Sequence, residues 1–338
     1  MSGLVPVSVV ICAYTQRRWE DLTLAVASAV AQPETAEVIV VIDHEPELLR
    51  RAYLAWPELT VIPNAAKQGL SGARNTGIHA AGCGIVAFLD DDAAAAADWL
   101  RWLVEPFADP NVAAVGGRAD PVWPAGASTR VLAPELLWIV GCSYRGLPVA
   151  RADVRNVMGC SMAFRREVLL ALGGFNLDTG RVGRLPLGCE ETELCIRVRQ
   201  ADASARVVYE PRATVRHRVS LDRTGWSYLL SRSYFEGVSK AALSRTLGRR
   251  DALAAESSYL RTVLPRAVVR ELRDTGSGGA TRAAAIVLSL GAVGSGYLRG
   301  SVRRPARPAR LARPARAVRT GRPARVETEA APTTRVPS

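Results

Sequence analysis

The chain has 338 residues, enough for one large domain or two ordinary ones, and 48% hydrophobic with 22% charged residues excludes disorder throughout, collagen and coiled coil. Its formal charge of +12 is uneven: eleven Arg and two Glu fall between Arg299 and Ser338, a balance of +9, which leaves about +3 for the first 298 residues. A nearly neutral body with a basic tail disfavours a nucleic-acid-binding globule.

The apolar run at residues 7–13 follows no basic leader and ends in Thr15-Gln16-Arg17-Arg18, so it reads as a strand rather than a signal peptide. Helical spacing occupies 19–31, a buried strand 37–42 ends at Asp43, and a helix is predicted over 46–56. A short strand at 59–62 stops at Pro63-Asn64, and a helix over 71–81 has Ser71 as its expected N-cap. The strand at 85–89 runs into Asp90-Asp91-Asp92, followed by a helix over 98–107 and an extended run at 112–115. This alternation predicts an α/β fold, a Rossmann-like, mostly parallel sheet flanked by helices.

Residues 118–155, with Pro121, Pro124, Pro134 and Pro148, read as a long excursion of loops. Strand character resumes at 157–164, a short helix at 166–172 closes on Gly173-Gly174, and a helix over 190–199 opens with acids that suit its dipole. Strand-like runs at 207–209 and 214–219 precede a helical region, 226–298, broken at 275–279. The Pro-Ala-Arg repeats after Arg303 cannot build a core and are expected to be disordered. The uncharged run 283–298 falls short of the roughly 20 residues of a membrane span, and reads as a buried or interfacial helix. Beside a basic tail, an anionic membrane surface is a plausible partner.

Six cysteines, at 12, 83, 142, 160, 189 and 195, show no C-x-x-C or zinc spacing and read as reduced, buried thiols of a cytoplasmic protein. The chemistry lies in the acids. In open α/β sheets ligands bind beyond the carboxyl ends of the strands, which is where Asp90, Asp91 and Asp92 stand. Adjacent carboxylates repel by about 4 kcal/mol per pair at ~4 Å and an effective dielectric near 20, so the cluster calls for a compensating cation. Alternation sets Asp90 and Asp92 on one side, an oxygen pair suited to Mg²⁺ or Mn²⁺; the competing interpretation is a solvated acidic turn. A second acidic group, Glu190, Glu191 and Glu193, follows Gly188-Cys189, a small approach that would let the helix start come close to a ligand. It is equally an ordinary acidic first turn.

The strings VSVVICAYTQR, EVIVVID, GLSGARNTGI, FLDDDA, NVMGCSMAFRREVLLALGGF, CEETELCIR and VRHRV, in this order over residues 5–220, resemble family 2 glycosyltransferases of the GT-A fold, in wording closest to bacterial members of cell-surface or secondary-metabolite glycan assembly. The resemblance implies a GT-A domain over 1–222, split into a nucleotide-binding half (1–117) and an acceptor half (118–222), a helical region (223–300) and a disordered tail (301–338). It implies that Ala13, Tyr14, Asp43, Arg74 and Asn75 contact the nucleotide, with Asp90 near the ribose or metal. Asp92, Asp90 and His217 would hold Mg²⁺ or Mn²⁺; Gly159, Cys160, Ser161 and Glu190 would face the sugar and acceptor; and Glu191 would be the general base, where Asp is common. The implied reaction is inverting transfer from a nucleotide-diphosphate sugar, UDP before GDP or dTDP, to a glycan, lipid-linked or small-molecule acceptor, with no specific nucleic acid involved. Cys12 in place of a proline and His44-Glu45 in place of Gly-Ser depart from the family pattern near the base.

The arginines flanking His217 are expected to lower its pKa and favour a neutral ligand. Arg223 and Arg232 are candidate diphosphate clamps, Trp123, Trp138 and Tyr144 acceptor-site candidates, and Trp99 and Trp102 core residues. Two other readings compete: a nucleotidyltransferase, which would carry a Gly-rich basic loop where CAYTQRR stands, and a non-enzymatic membrane or nucleic-acid binder acting through its tail. The expected location is cytoplasmic, or peripheral on the inner face of the membrane.

Overall fold

Three of the first four strands of the sheet are covered on both faces, and their sequences show it. In a computed structural model that describes residues 4–179, 188–253, 259–274, 276 and 278–302, β1 (Val7–Ala13), β2 (Thr35–Ile42), β3 (Thr60–Pro63) and β4 (Ile85–Asp90) pair in parallel in the order β3-β2-β1-β4. A strand buried on both faces needs a near-continuous apolar run, rich in Val and Ile, rather than alternation, which VSVVICA and EVIVVI supply. The crossovers are α1 (Trp19–Val30), α2 (Pro46–Ala55) and α3 (Leu70–Ala80). Helix α1 buries Leu22, Ala25, Val26 and Ala29, one face at helical spacing. Helix α3 starts one residue before its expected position, capped by Gly69 at φ 132°; Ser71 lies inside the helix and donates its hydroxyl to the Thr179 carbonyl. Gly77 lets α3 close on β1, since a Cβ there would sit 2.4 Å from Val10 Cγ1.

Beyond β4 the sheet is mixed, antiparallel except where two long strands run in parallel. A short β5 (Ala93–Ala95) follows the aspartates, then α4 (Trp99–Val104) and β6 (Val112–Val122); β7 (Ala152–Asp153), β8 (Ser161–Arg165), α5 (Arg166–Ala171), α6 (Glu190–Ala201) and β9 (Arg206–Arg218) complete this part. The order continues β4-β8-β6-β9-β5, with β7 on β9. The two expected runs at 207–209 and 214–219 are one strand, because β6 pairs in parallel along all of it and absorbs Pro211 in a register shift opposite Gly117 and Arg118. The strand at 157–164 forms only from Ser161. Phe88, Phe164 and Phe175 meet edge-on behind β4 and β8, at centroid distances of 5.5–6.4 Å.

The C-terminal region forms α7 (Trp226–Thr246), α8 (Arg249–Ala252), a π-helical turn (Tyr259–Val263), α9 (Leu264–Arg273) and α10 (Gly279–Val302). Helices α7 and α10 touch through small residues: a Cβ on Gly237 would meet the Val293 carbonyl and one on Gly296 the Tyr234 carbonyl, while Ser233 and Ser289 share a 2.8 Å hydrogen bond. Together with the 3₁₀ segment Pro134–Val140 they build a second core around Leu136, Ile139, Leu229, Leu264 and Ile286. The 118–155 excursion is therefore anchored rather than loose. Helix α10 is long and apolar enough to cross a bilayer, but a third of its most apolar 18 residues are buried (33%, mean hydropathy 1.2). Residues 1–303 form one compact unit, and the expected disorder of the tail falls outside the described residues.

Candidate active site

The parallel register sets Ala13 beside Ile42 and Cys12 beside Asp90 at one edge of the sheet. A cleft of about 1710 Å³ opens there. After Asp90 the chain crosses to the far strand, where Ala93 pairs with His217 and Arg218 N–H donates to the Asp92 carbonyl at 2.8 Å. This crossing, which depends on β5 pairing with β9, brings the strings FLDDDA and VRHRV together.

Asp90, Asp92 and His217 offer ligand atoms within 4.8 Å of one another. Two hard oxygens and an imidazole nitrogen fit Mn²⁺ or Mg²⁺, Mn²⁺ accepting the nitrogen more readily. His217 Nε2 lies 3.2 Å from Asp92 Oδ1, and its Nδ1 faces Cys142 Sγ at 3.6 Å. The flanking arginines do not set its charge: strand alternation buries His217 and exposes Arg216 and Arg218. Burial opposes protonation, but Asp92 outweighs it and pushes His217 up to about 10, the reverse of the expected lowering.

The repulsion among the aspartates is relieved from within the protein. Arg18 Nη1 lies 2.8 Å from Asp91 Oδ1 and 2.9 Å from Asp92 Oδ2, and Arg74 Nη2 lies 3.2 Å from Asp90 Oδ1. A bound cation is therefore not required to explain the cluster. Arg18 is the functional residue that sequence reasoning missed; the signal was a cation just past the carboxyl end of β1, on the same edge as the acids. Burial, then Asp92, raises Asp91 to about 7.

Arg74, fully buried, also contacts Glu190 Oε1 at 3.3 Å and donates to the Gly159 carbonyl at 3.1 Å. Glu191 Oε1 accepts the Gly159 N–H at 3.1 Å, and burial, then Glu190, raises Glu191 to about 8 against the pull of Arg74. A Cβ at 159 would lie 2.8 Å from Arg74 Nη2 and 3.0 Å from Glu191 Oε1, so only glycine permits this approach. Among the described residues four buried side-chain oxygens lack a partner, and Asp91 Oδ2, Glu190 Oε2 and Glu191 Oε2 belong to cleft-lining residues. Cys189, at φ 75° ahead of α6, holds a strained left-handed backbone where the helix enters the cleft.

The remaining expected positions divide. Ala13, Tyr14, Asp43, Cys160, Trp138, Tyr144, Arg223 and Arg232 line the cleft. Asp43 accepts from Asn64 Nδ2 at 2.6 Å and Gly69 N at 2.9 Å and contacts His44 Nδ1 at 2.9 Å, which leaves Oδ2 with acceptor capacity for one more donor. Asn75 is a correction: its amide gives to the Phe175 carbonyl and takes from the Phe175 N–H, both at 2.8 Å, fastening the loop after α5 away from the cleft. Ser161 is another: fully buried, it accepts from Trp99 Nε1 at 2.9 Å. Trp123 packs on the second core, Trp99 is core, and Trp102 is half-buried with Arg212 stacked on it at 3.8 Å. All six cysteines are free thiols, Cys12 and Cys83 only half-buried.

Comparison with known proteins agrees with this geometry. A family model described as Glycosyl transferase family 2 matches residues 8–173. Glucosyl-dolichyl phosphate glucuronosyltransferase of Haloferax volcanii is 32% identical over 303 residues, covering 87% of this chain and 96% of that protein. Succinoglycan biosynthesis protein ExoM of Rhizobium meliloti is 27% identical over 242 residues, 69% of this chain and 73% of that one. Among solved structures, mannosyltransferase PcManGT from Pyrobaculum calidifontis, in complex with GDP-Man and Mn²⁺, superposes with a TM-score of 0.54 at 19% identity, over 86% of this chain and 87% of that one. GalNAc-T7 with UDP, GalNAc and Mn²⁺ gives 0.50 at 17% identity, over 78% of this chain and 57% of that one. These two show a GT-A-like fold. The nucleotidyltransferase and non-enzymatic readings give way, and a bacterial source does not follow, since the relative that covers 87% of the chain is archaeal. The chain belongs to glycosyl transferase family 2, and it is a glycosyltransferase.

Proposed function

We propose that this chain moves a sugar, with inversion, from a UDP-sugar to a hydroxyl of a lipid-linked acceptor, with Glu191 as general base. The observation that carries this is Glu191 itself: a half-buried residue with one carboxylate oxygen tied to Gly159 N–H and the other buried and unpartnered, on the cleft that Asp90, Asp92 and His217 also line. Lipid linkage follows the Haloferax relative, whose name gives dolichyl phosphate as the carrier. Of the two structural neighbours one holds UDP and the other GDP-Man, and UDP is the base proposed here.

In the proposed step the acceptor oxygen attacks the anomeric carbon while the bond from that carbon to the diphosphate oxygen breaks, its electron pair leaving with the nucleotide. The acceptor proton passes to Glu191 Oε2. A base whose pKa lies near the working pH suits this transfer, which contributes typically about 10²–10⁴-fold. Asp90, Asp92 and His217 would hold Mn²⁺ or Mg²⁺, which when bound neutralises charge developing on the diphosphate. Arg223, buried on the cleft wall, adds positive charge on the same side. Attack from the Glu191 side, with no carboxylate serving as covalent nucleophile, inverts the centre. Residues 1–117 then serve the nucleotide and 118–222 the acceptor, and the protein works at the cytoplasmic face of a membrane, its basic tail drawn to anionic lipid.

Thermal shift with a panel of nucleotide sugars, with and without Mn²⁺, tests the donor, and the anomeric coupling of the isolated product tests the stereochemistry. A UDP-sugar should raise the melting temperature only with the ion. Retained configuration, or no response to any nucleotide sugar, rejects the proposal.

A further inference from the structure

His217 is held from two sides, and the acidic sheet edge is one of them. While Nε2 lies 3.2 Å from Asp92 Oδ1, Nδ1 meets Cys142 Sγ at 3.6 Å, an ordinary separation for a hydrogen bond to the larger sulfur atom. Cys142 is fully buried and His217 nearly so, so bulk water does not replace either partner.

The thiol is fixed in place by its own short loop. Cys142 N–H donates to the Leu137 carbonyl at 3.1 Å, closing the 3₁₀ segment, and Gly141 makes the left-handed turn at φ 81°. On the other side Ser143 N–H donates to the Ala119 carbonyl at 2.8 Å, and Ser143 Oγ accepts Ala119 N–H at 2.9 Å. Ala119 stands on β6 two residues before Pro121, the register partner of His217 on β9. The loop is thus stitched to the strand that runs beside the histidine. A Cβ on Gly141 would lie 3.3 Å from His217 Cε1, so the ring rests against this turn as well. Cys142 also belongs to the second core, with Leu229 of α7, Leu264 of α9 and Ile286 of α10, and α10 goes on to line the cleft through Val293 and Tyr297.

A neutral imidazole carries one ring hydrogen. For Nε2 to offer a lone pair to an ion, that hydrogen must sit on Nδ1, where it needs an acceptor. Cys142 Sγ supplies one, while its own hydrogen reaches towards the Val140 carbonyl at 3.9 Å. A ring without this partner is free to turn about its Cβ–Cγ bond or to take the other tautomer, and either change removes the lone pair from the side of Asp92.

We infer that Cys142 is a positioning residue for the proposed metal site: its thiol accepts the Nδ1 hydrogen of His217 and fixes the ring with Nε2 towards Asp92. The inference rests on the proposed function only in taking His217 to be a metal ligand. Through this contact the C-terminal helices, by way of the second core, support a group on the sheet edge.

The test uses the full chain with UDP and Mn²⁺, the free ion being counted by electron paramagnetic resonance. Cys142→Ala removes the acceptor and should weaken Mn²⁺ binding by about 10–100-fold. Cys142→Ser supplies a hydroxyl acceptor at nearly the size of alanine and should recover the affinity to within about fivefold of the parent. A cavity alone would weaken both variants alike, so the difference between them separates positioning from packing. Should Cys142→Ala fold poorly, the parent chain carries the test: histidine ¹⁵N spectra of its Mg²⁺–UDP complex should show the His217 hydrogen on Nδ1. Comparison with His217→Ala assigns that signal among the three histidines. Parent-like Mn²⁺ affinity in Cys142→Ala, a serine variant no tighter than the alanine variant, or a His217 hydrogen on Nε2 in that complex overturns the inference. Parent-like Mn²⁺ affinity in His217→Ala would instead strike the metal role proposed above, so the two failures are separable.

Discussion

Two acidic regions share one cleft and are treated in opposite ways. At the end of β4, Asp92 lies between Arg18 and His217; burial alone would raise its pKa, but His217 and Arg18 outweigh burial and hold the carboxyl well below the usual carboxylate range. At the start of α6, Glu191 has a single backbone donor and rises to about 8. Arg74 sits between the regions, touching Asp90 on one side and Glu190 on the other. The difference is in the number of cations each carboxylate can reach, and it separates a group fixed as an anion from one poised to exchange a proton.

The largest effect expected is from Glu191→Gln, which removes the proton acceptor while keeping the Gly159 contact. The turnover number should fall about 10²–10⁴-fold with the UDP–Mn²⁺ affinity unchanged. An equal loss of nucleotide affinity would erase the distinction between the two regions. Asp92→Asn tests the other side: Mn²⁺ affinity, followed by calorimetry with UDP, should fall by more than the roughly 10–100-fold typical of a supporting residue. Unchanged Mn²⁺ binding in that variant would remove Asp92 from the metal site.

Arg18→Ala leaves Asp91 and Asp92 without their internal cation. Urea unfolding should show a loss of about 2–3 kcal/mol, below the roughly 3–5 for a fully buried pair because Arg18 stays 20% exposed. Mn²⁺ should then raise the melting temperature of the variant more than that of the parent; equal shifts would show that Arg18 and the ion do not share a site. The smallest effect is in pH. Activity that needs Glu191 ionised should rise by up to about tenfold per unit as pH approaches 8 and level off above it. Between its unfolded value near 4.5 and about 8 the native state binds more protons through this group, so its contribution to stability falls as pH rises across that window. Glu191→Gln should flatten that slope, and a slope unchanged in the variant assigns it to another group.

Much of the fold was legible because local patterns and tertiary demands agree. Largely apolar runs marked β1, β2 and β4, and Gly173-Gly174, at φ 72° and 73°, closed α5 as expected. Where a partner strand decided the outcome, the pattern was silent: β5 is three alanines with no strand propensity, and β9 holds together across Pro211 only because β6 runs beside it. Within the site, residues at element ends were legible, since strand and helix termini appear in sequence. Asn75 and Ser161 were misplaced because a matching string shows proximity to a site but not which way a side chain turns.

The sequence by itself determined the alternation of strands and helices, the sheet edge that carries Asp90–Asp92, and the acidic start of α6. These are local matters of hydrophobic period, turn chemistry and charge. Only the tertiary structure decided that Arg18 neutralises the aspartates, that His217 answers to Asp92 rather than to its neighbouring arginines, and that α10 walls the cleft. Each depends on groups far apart in the chain meeting within a few ångströms, where burial strengthens charge interactions that sequence spacing cannot reveal.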